Sequence, residues 1–308
     1  MTAASNQNPS NRWHVGLIGY GEVGKILAED LRKDGVRVSA YDVKLADSRG
    51  DALRSHADGI GVTLAASHAE LAAQADFIVS AVTASQDVAV AEACAVTIKP
   101  GAWFLDFNSA SPGAKQRAAA LIDGGGGRYV EGAVMTSVPP YRIKVPLLLG
   151  GPGARELEPL LNAIGFAAKV ASDELGVSSA VKMCRSVMIK GLEALTTECM
   201  VAARHYGVEH EVLRTLGDTL PHEDWPGLAR YVIGRALLHG KRRAEEMREV
   251  ARTVAEAGVE PLLSRATAER QDWAGRRGRE MGQAGLAAPD LDALLEALAA
   301  AMDGRRGS

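Results

Sequence analysis

Short apolar runs alternate with amphipathic stretches through the first half of the chain. Six runs have the length and composition of buried strands, and they cover residues 14–19, 36–42, 77–82, 102–107, 128–134 and 145–151. Between the first two runs, residues 22–33 place their apolar side chains at helical intervals. Strands that alternate with helices are typical of a parallel sheet covered by helices. The run at 145–151 is the last strand that the pattern predicts.

The second half of the chain has a helical pattern throughout. Residues 176–206 contain no proline and keep apolar residues at helical spacing, which predicts one long helix. Its apolar face consists of Val181, Cys184, Val187, Met188, Leu192, Leu195, Cys199 and Ala202. Shorter helices are predicted at 209–216, 227–238, 241–257, 262–276 and 291–302. We therefore predict an α/β domain at 13–174 and an all-α domain at 175–302, with a disordered tail at 1–12 and another tail at 303–308.

Composition excludes several classes of function. The formal net charge of the 308 residues is −3, so no broad positive field attracts nucleic acid or an anionic membrane. No run reaches the ~18 uncharged apolar residues of a membrane span, and residues 1–11 lack the apolar segment of a signal peptide. Cytoplasmic localisation is therefore expected. The cysteines and histidines lack metal-ligand spacing, so we expect no metal site and expect Cys184 and Cys199 to be buried.

The sharpest motif is the hexapeptide Gly19-Tyr20-Gly21-Glu22-Val23-Gly24, which follows the first strand and opens the first helix. In such a turn Gly19 permits the tight bend, Gly21 lets a pyrophosphate approach the backbone, and Gly24 lets the helix pack closely on the strand. The start of the helix adds free N–H groups and the positive end of its dipole. The hexapeptide therefore predicts a dinucleotide site, with a purely structural turn as the alternative.

Asp42 stands at the end of the second predicted strand. A carboxylate at this place accepts hydrogen bonds from the adenosine ribose hydroxyls and repels a 2′-phosphate, which favours NAD. Lys44 follows two residues later and could accommodate a phosphate, so NADP remains the alternative.

Polar residues follow two later strands, in the pairs Val82-Thr83 and Asn108-Ser109. Ligands of parallel sheets bind at the carboxyl ends of the strands, so these four residues are predicted to contact the ribose or the nicotinamide. Loop caps without a ligand are the alternative interpretation.

The order of these parts resembles the β-hydroxyacid dehydrogenase superfamily, which includes 3-hydroxyisobutyrate dehydrogenase and 6-phosphogluconate dehydrogenase. GLIGYGEVG (16–24) with AYDV (40–43) is similar to the NAD-binding start of that family, and residues 106–112 resemble its Asp-x-Ser-Thr-x-x-Pro stretch. GVSSAVK (176–182) resembles its Gly-x-Gly-x-x-x-Lys segment, with Ser178 in place of the second glycine. RRAEEM (242–247) resembles a branch of phosphogluconate-dehydrogenase-like proteins. The resemblance implies an α/β Rossmann NAD(P)-binding domain followed by an all-α helical domain with one long central helix.

The resemblance also implies that Lys182 is catalytic. Oxidation of an alcohol requires a base for the hydroxyl proton and reduction of a carbonyl requires an acid, and an amine near the reacting oxygen can serve as either. Lys182 lies just past the predicted domain boundary, so its side chain could face the cofactor. A solvated lysine near a helix end is the alternative.

Ser186, Lys190 and Glu193 share a polar stripe with Lys182 on the long helix. We expect this helix to be packed on several sides, where unpaired charges are costly. Our hypothesis is that Ser186 and Lys190 bind the more distant part of the substrate, because Lys190 lies about 12 Å along the helix axis from Lys182.

Three positions depart from the family pattern. Ser186 replaces an asparagine, residues 131–140 stand where the family has a Ser-Gly-Gly turn that holds the substrate carboxylate, and residues 245–247 replace a Lys-Asp-Leu segment. Within the stretch 131–140, Thr136 and Ser137 are the candidate substrate contacts. The substrate could therefore be bulkier or less acidic than the family's usual one, or be anchored by Lys190 or Arg142.

The sequence thus predicts an NAD(P)-dependent oxidoreductase that transfers a hydride between nicotinamide and a carbonyl or alcohol carbon of a small β-hydroxy-acid-like molecule. One alternative is imine reduction, although Lys182 counts against it; the other is a catalytically silent nucleotide-binding sensor. A homodimer is expected because the long helix and the bundle leave apolar faces that need cover.

Overall fold

The computed structural model describes residues 13–303, and the chain forms two compact units that divide between Met183 and Cys184. The division lies inside the long helix, whereas the sequence placed the domain boundary at residue 174, ahead of that helix. The predicted tail at 1–12 lies outside the described residues, as do residues 304–308 of the predicted C-terminal tail.

The first unit is built on an eight-stranded sheet. Its strands are β1 (His14–Ile18), β2 (Arg37–Tyr41), β3 (Thr63–Leu64), β4 (Phe77–Ser80), β5 (Trp103–Asp106), β6 (Arg128–Val134), β7 (Pro146–Gly150) and β8 (Ala167–Ser172). The order across the sheet is β3-β2-β1-β4-β5-β6-β7-β8, and every neighbouring pair is parallel except β6 with β7. The order therefore reverses between β1 and β4, the place where open α/β sheets bind their ligands.

Helices connect these strands and cover the sheet: α1 (Glu22–Lys33), α2 (Asp51–Ile60), α3 (His68–Gln74), α4 (Asp87–Ala95), α5 (Pro112–Gly124), α6 (Val138–Tyr141) and α7 (Ala154–Ala163). The strands are buried on both faces. Leu17 and Val79 belong to one apolar cluster, while Ile18, Ile78 and Phe104 belong to a second. This two-sided burial explains why the strands read as continuous apolar runs.

The sequence pattern did not predict β3 and β8. The run at 145–151 contains β7, and β8 rather than β7 is the last strand. β3 has two residues, too few to form a recognisable run, and β8 follows the helix α7 at the edge of the sheet. β8 carries Lys169 and has alternately exposed and less exposed residues, because an edge strand need not be apolar on both faces. The predicted bounds of α1 and β6 are confirmed.

The helix α8 (Val177–Tyr206) runs across the division, and the second unit continues with α9 (Glu209–Thr219), α10 (Trp225–Glu256), α11 (Leu262–Leu286) and α12 (Leu291–Asp303). Its core joins side chains of α8, α10 and α12, among them Met200, Ile233 and Leu298. This unit is helical, as predicted. Among the helices of residues 13–303, none combines the length and the apolar character that crossing a bilayer requires.

The break predicted at residues 239 and 240 is absent, since α10 is continuous there. A Cβ on Gly240 would lie 2.3 Å from the backbone oxygen of Gln271 and 2.5 Å from the backbone nitrogen of Gly275. Gly240 therefore marks a close approach of α10 to α11 rather than the end of a helix.

The long helix turns its polar stripe inward and much of its apolar stripe outward. Ser186 and Lys190 are each 7% exposed and Glu193 is 1% exposed, whereas Met188 is 73% exposed and Leu195 is 68% exposed. The expected burial of Cys184 and Cys199 is wrong for the same reason, because both are exposed on the apolar stripe.

Candidate active site

The glycine turn after β1 has the geometry of a dinucleotide cradle. Gly19 has a φ of +88°, and a Cβ on it would lie 2.3 Å from the backbone oxygen of Ala81. A Cβ on Gly24 would lie 2.2 Å from the backbone oxygen of Gly19. Around Gly21, in contrast, a Cβ would meet no described atom within 4 Å, so open space borders the backbone there. No described side chain caps the start of α1, which leaves N–H groups for an anion.

Asp42 lies at the carboxyl end of β2 with a fixed side chain. It is 8% exposed, and its Oδ1 accepts a hydrogen bond from the backbone N–H of Lys44 at 2.9 Å. The ring of His68 packs edge-on against Tyr41, with centroids 4.6 Å apart. Burial lowers the pKa of His68, and the charge of Asp42 partly opposes this effect. The carboxylate is therefore held where a ribose contact was predicted.

Asn108 joins the loops that follow β4 and β5. Its Nδ2 donates to the Oγ of Ser80 at 3.0 Å and to the Oδ1 of Asp87 at 2.7 Å. Its Oδ1 accepts from the backbone N–H of Val82 at 2.7 Å. The side chain is 3% exposed, and its hydrogen bonds connect the carboxyl ends of β4 and β5 within the core. A direct contact of Asn108 with the cofactor stays a prediction.

A buried ion pair lies under these strand ends. The Nζ of Lys115 is 2.6 Å from the Oδ1 of Asp106, and the hydroxyl of Tyr129 donates to the Oδ2 of Asp106 at 2.6 Å. Burial acts to lower the pKa of Lys115, but the charges of Asp106 and Asp87 outweigh burial and raise it. The pKa of Asp106 is lowered because Lys115 overcomes the effect of burial.

Asp87 carries the proton of this network. Its burial, and then the charge of Asp106, raise the pKa of Asp87 to about 8. Asp87 is therefore neutral at physiological pH, and the network of Asp106, Lys115 and Asp87 has no net charge.

Lys182 lies near the start of α8, and its Nζ donates to the Oγ of Ser109 at 2.6 Å. Ser109 follows Asn108 beyond the end of β5, on the same edge of the sheet as the glycine turn. The side chain of Lys182 is partly buried rather than surrounded by solvent. The first unit thus brings the lysine and a strand-end serine together, and such an amine–hydroxyl pair can exchange a proton with a third oxygen atom.

Two family models match the chain. Residues 14–170 match the NAD binding domain of 6-phosphogluconate dehydrogenase, and residues 203–274 match DUF1932, a domain of unknown function. The mitochondrial 3-hydroxyisobutyrate dehydrogenase of Drosophila melanogaster is 23% identical over 218 residues, which are 69% of this chain and 65% of that enzyme. The chain belongs to the β-hydroxyacid dehydrogenase superfamily. Its cofactor is therefore NAD(P), as the glycine turn predicted.

Solved structures share the fold of this chain. A conserved hypothetical protein from Sinorhizobium meliloti 1021 is 35% identical, covers 96% of this chain and 98% of its own, and superposes with a TM-score of 0.75. A reductive aminase from Aspergillus terreus, solved with NADPH and ethyl levulinate, is 20% identical over 87% of this chain and 95% of its own, with a TM-score of 0.53. The second similarity is one of fold alone. Both confirm the predicted fold class.

Within this β-hydroxyacid dehydrogenase fold, the predicted contacts differ in exposure. The side chain of Tyr20 is fully buried, and its hydroxyl is 2.9 Å from the Nδ1 of His56, so only its backbone borders the cradle. Burial, assisted by Glu29, raises the pKa of Tyr20 to about 12. Thr136 and Ser137 are exposed between β6 and α6, and their contact with a substrate stays a prediction. Glu22 and Thr83 are also exposed, and Val23 is partly buried.

Ser186 and Lys190 lie in the second unit and are engaged there. The Nζ of Lys190 donates to the Oγ of Ser186 at 3.0 Å and is 2.7 Å from the Oε2 of Glu246. Farther along the stripe, Glu193 accepts from Arg243 at 2.6 Å and from Gln271 at 3.1 Å. Contacts of Ser186 and Lys190 with substrate stay predictions.

Arg142, the other predicted anchor, pairs inside the first unit. It is 2.6 Å from Glu29 and 2.9 Å from Asp30, both on α1, and these carboxylates raise its pKa. Its φ of +55° is unusual for a residue with a side chain, so these contacts hold a strained backbone in place.

One metal-like cluster occurs among residues 13–303. The ligand atoms of Glu209, His210 and Asp292 lie within 4.8 Å of one another. His210 and Asp292 are exposed, and Glu209 pairs with Arg204, so we assign no metal to this cluster.

Sequence reasoning missed the buried charges of the first unit. Asp106 and Glu131 each interrupt an otherwise apolar strand, which is a recognisable signal because an unpaired charge cannot remain in a core. Lys115 and Asp87 gave no such signal, since each lies in the first turn of a helix, where charged residues are common.

Proposed function

We propose that this protein is an NAD(P)-dependent oxidoreductase that interconverts an alcohol and a carbonyl carbon of a small organic acid, with Lys182 as the general acid and base. The observation that carries the proposal is the 2.6 Å hydrogen bond between the Nζ of Lys182 and the Oγ of Ser109. Family membership supplies the cofactor, and the hydrogen bond supplies a proton carrier on the sheet edge that holds the glycine turn.

When bound, NAD(P) would supply or accept the hydride through its nicotinamide ring. Lys182 takes the hydroxyl proton when the alcohol is oxidised, and it returns that proton to the oxygen when the carbonyl is reduced. Ser109 accepts a hydrogen bond from the amine and so restricts the direction in which the amine points. Asp42 would hold the adenosine ribose, which favours NAD over NADP.

The test is a panel of β-hydroxy acids and the matching aldehydes and ketones, followed by NADH and NADPH absorbance in both directions. Lys182→Ala should lower kcat by about 10²–10⁴-fold while the dissociation constant for NADH stays within about twofold. The matched control is Lys169→Ala, which removes an exposed lysine of β8 and should leave both values unchanged. Full turnover by Lys182→Ala would overturn the proposal.

The same panel separates two alternatives. The fold likeness to a reductive aminase favours an arm with cyclohexanone and allyl amine, and turnover in that arm alone would indicate reduction of a C=N bond. Tight NADH binding with no turnover in any arm would indicate a nucleotide-binding sensor.

Four residues complete the proposed substrate site. Thr136 and Ser137 would bind the acid group, and Ser186 with Lys190 would bind a more distant part of the substrate. Lys190→Met should then raise KM more than it lowers kcat, and an unchanged KM would exclude this role.

We also propose a homodimer. Met188, Leu192 and Leu195 are 73%, 38% and 68% exposed along α8, an apolar stripe that a second copy would cover. Light scattering should give twice the monomer mass, and Leu195→Glu should give the monomer mass.

A further inference from the structure

The start of α8 is held by a carboxylate from the sheet. The Oε1 of Glu131, on β6, accepts hydrogen bonds from the backbone N–H groups of Gly176 and Ser178 at 2.9 and 3.0 Å. The first N–H groups of a helix have no partner within the helix, and a nearby polar side chain usually accepts them. Here the acceptor is more than forty residues away in the sequence and is fully buried.

The surroundings leave Glu131 little freedom. A Cβ on Gly150, its neighbour on β7, would lie 2.3 Å from the Oε1 of Glu131 and 2.7 Å from the Oγ of Ser178. Gly176 has a φ of +98°, which turns the chain from β8 into the helix. Glycines therefore make room for the carboxylate and the helix start to approach each other.

The charge of Glu131 is matched to this place. The N-terminus of a helix attracts an anion through its dipole, and a buried carboxylate needs such compensation. Glu131 also stands beside Asp106 in the sheet, and its charge helps to raise the pKa of Lys115. The ion pair of Asp106 and Lys115 at the end of β5 is thus adjacent to Glu131, which accepts the hydrogen bonds of α8.

These contacts determine where Lys182 can reach. Ser109 directly follows Asn108, whose side chain is fixed by hydrogen bonds to Ser80 and Asp87. Lys182 follows the first turn of α8, and Glu131 accepts the hydrogen bonds at the start of that turn. We propose that Glu131 is a positioning residue, which anchors the first turn of α8 so that the amine of Lys182 meets Ser109. The inference rests on the proposed function of Lys182 and adds the residue that places it.

The experiment compares Glu131→Leu with Glu131→Gln. Leucine removes the acceptor, so turnover should fall about 10–100-fold while the dissociation constant for NADH stays within about twofold. Glutamine keeps one oxygen for both N–H groups and should retain turnover within about threefold. The control is Glu174→Leu, which removes an exposed carboxylate just before the helix and should change neither value.

A second readout does not depend on activity. Reductive ¹³C-methylation labels the lysine amines, and Lys182→Arg identifies the Lys182 resonance by its loss. Glu131→Leu should move that resonance to the position of exposed lysines, and Glu131→Gln should not. Should Glu131→Leu fail to fold, Gly150→Ala replaces it, because the added methyl group displaces the carboxylate without removing it.

An unchanged Lys182 resonance and full turnover in a folded Glu131→Leu or Gly150→Ala protein would overturn the inference, leaving Glu131 a purely structural residue. Full turnover in Lys182→Ala would instead refute the proposed function, and the resonance would still decide whether Glu131 places the amine.

Discussion

The two units bury charge by different means. In the first unit, Lys115 faces Asp106 and Asp87, and the second negative charge is removed by a proton because the pKa of Asp87 is raised to about 8. In the second unit, the carboxylate of Glu193 is neutralised by the guanidinium of Arg243 at 2.6 Å. A proton is lost at high pH, whereas an arginine keeps its charge throughout the accessible range.

The raised pKa of Asp87 lies in the unit that holds the candidate site. The protonated Asp87 accepts a hydrogen bond from Asn108, which in turn holds Val82 and the loops at the strand ends. Ionisation of Asp87 would place a second negative charge beside Asp106 and strain the support of those loops.

The largest expected effect is a loss of stability of the first unit on raising the pH. The unfolded chain releases the Asp87 proton above pH 3.8, while the folded unit retains it to about 8. The stabilisation of the folded unit by this proton is complete below pH 3.8. As the pH rises to about 8, the free energy of unfolding therefore falls by up to about 1.4 kcal/mol per pH unit. The stability of the first unit is measured by urea unfolding, followed by the fluorescence of Trp13 and Trp103 in a protein with Trp225 and Trp273 changed to phenylalanine.

Asp87→Asn is the control for this prediction. The amide keeps an acceptor for Asn108 and cannot ionise, so the part of the pH slope that Asp87 contributes should vanish. The free energy of unfolding at pH 8 should rise by several kcal/mol, at up to about 1.4 kcal/mol for each pH unit between 3.8 and about 8. A slope that persists in Asp87→Asn would assign the pH dependence to another group.

The second prediction compares a buried with an exposed ion pair of the helical unit. Glu193→Ala leaves Arg243 buried without its carboxylate and should lower the free energy of unfolding by about 3–5 kcal/mol, equally at pH 6 and pH 9. Glu198→Ala, on the same helix, removes an exposed partner of Arg270 and should cost less than about 1 kcal/mol. Equal losses in the two variants would show that burial does not govern the strength of these pairs.

The sheet was largely predictable, and the packing of the long helix was not. Strands buried on both faces, such as β4 and β5, must be apolar along their whole length, so their pattern is unambiguous. On α8 the apolar stripe with Met188 is exposed and the stripe with Glu193 is buried. The buried side is satisfied by ion pairs with α10, and partners so distant in sequence cannot be read from a helical period.

The candidate site was predictable where chemistry requires one residue type. The glycines of the turn and the lysine of the helix form recognisable motifs, and the structure places Lys182 beside Ser109 as the strand-end analysis allowed. The supporting residues Glu131, Asp87 and Lys115 were not identified from the sequence, because they act through contacts that join separate strands and helices. Motifs identify the candidate ligand contacts, while the residues that support them depend on the tertiary fold.

The smallest effect concerns Gly240, which lies between the two helices predicted at 227–238 and 241–257. A methyl group there would overlap backbone atoms of Gln271 and Gly275, which cannot move aside as a flexible side chain can. Gly240→Ala should therefore lower the free energy of unfolding of the helical unit by about 1–3 kcal/mol.

Gly234, on the same helix, provides the matched control. A Cβ on Gly234 meets no described atom within 4 Å, so Gly234→Ala should raise the free energy of unfolding by about 0.5–1 kcal/mol through helix propensity alone. Urea unfolding followed by Trp225 and Trp273 measures both variants. Opposite signs would establish that α10 approaches α11 backbone to backbone at Gly240. Stabilisation by both substitutions would mean that the two helices lie farther apart, and that glycine is dispensable at both positions.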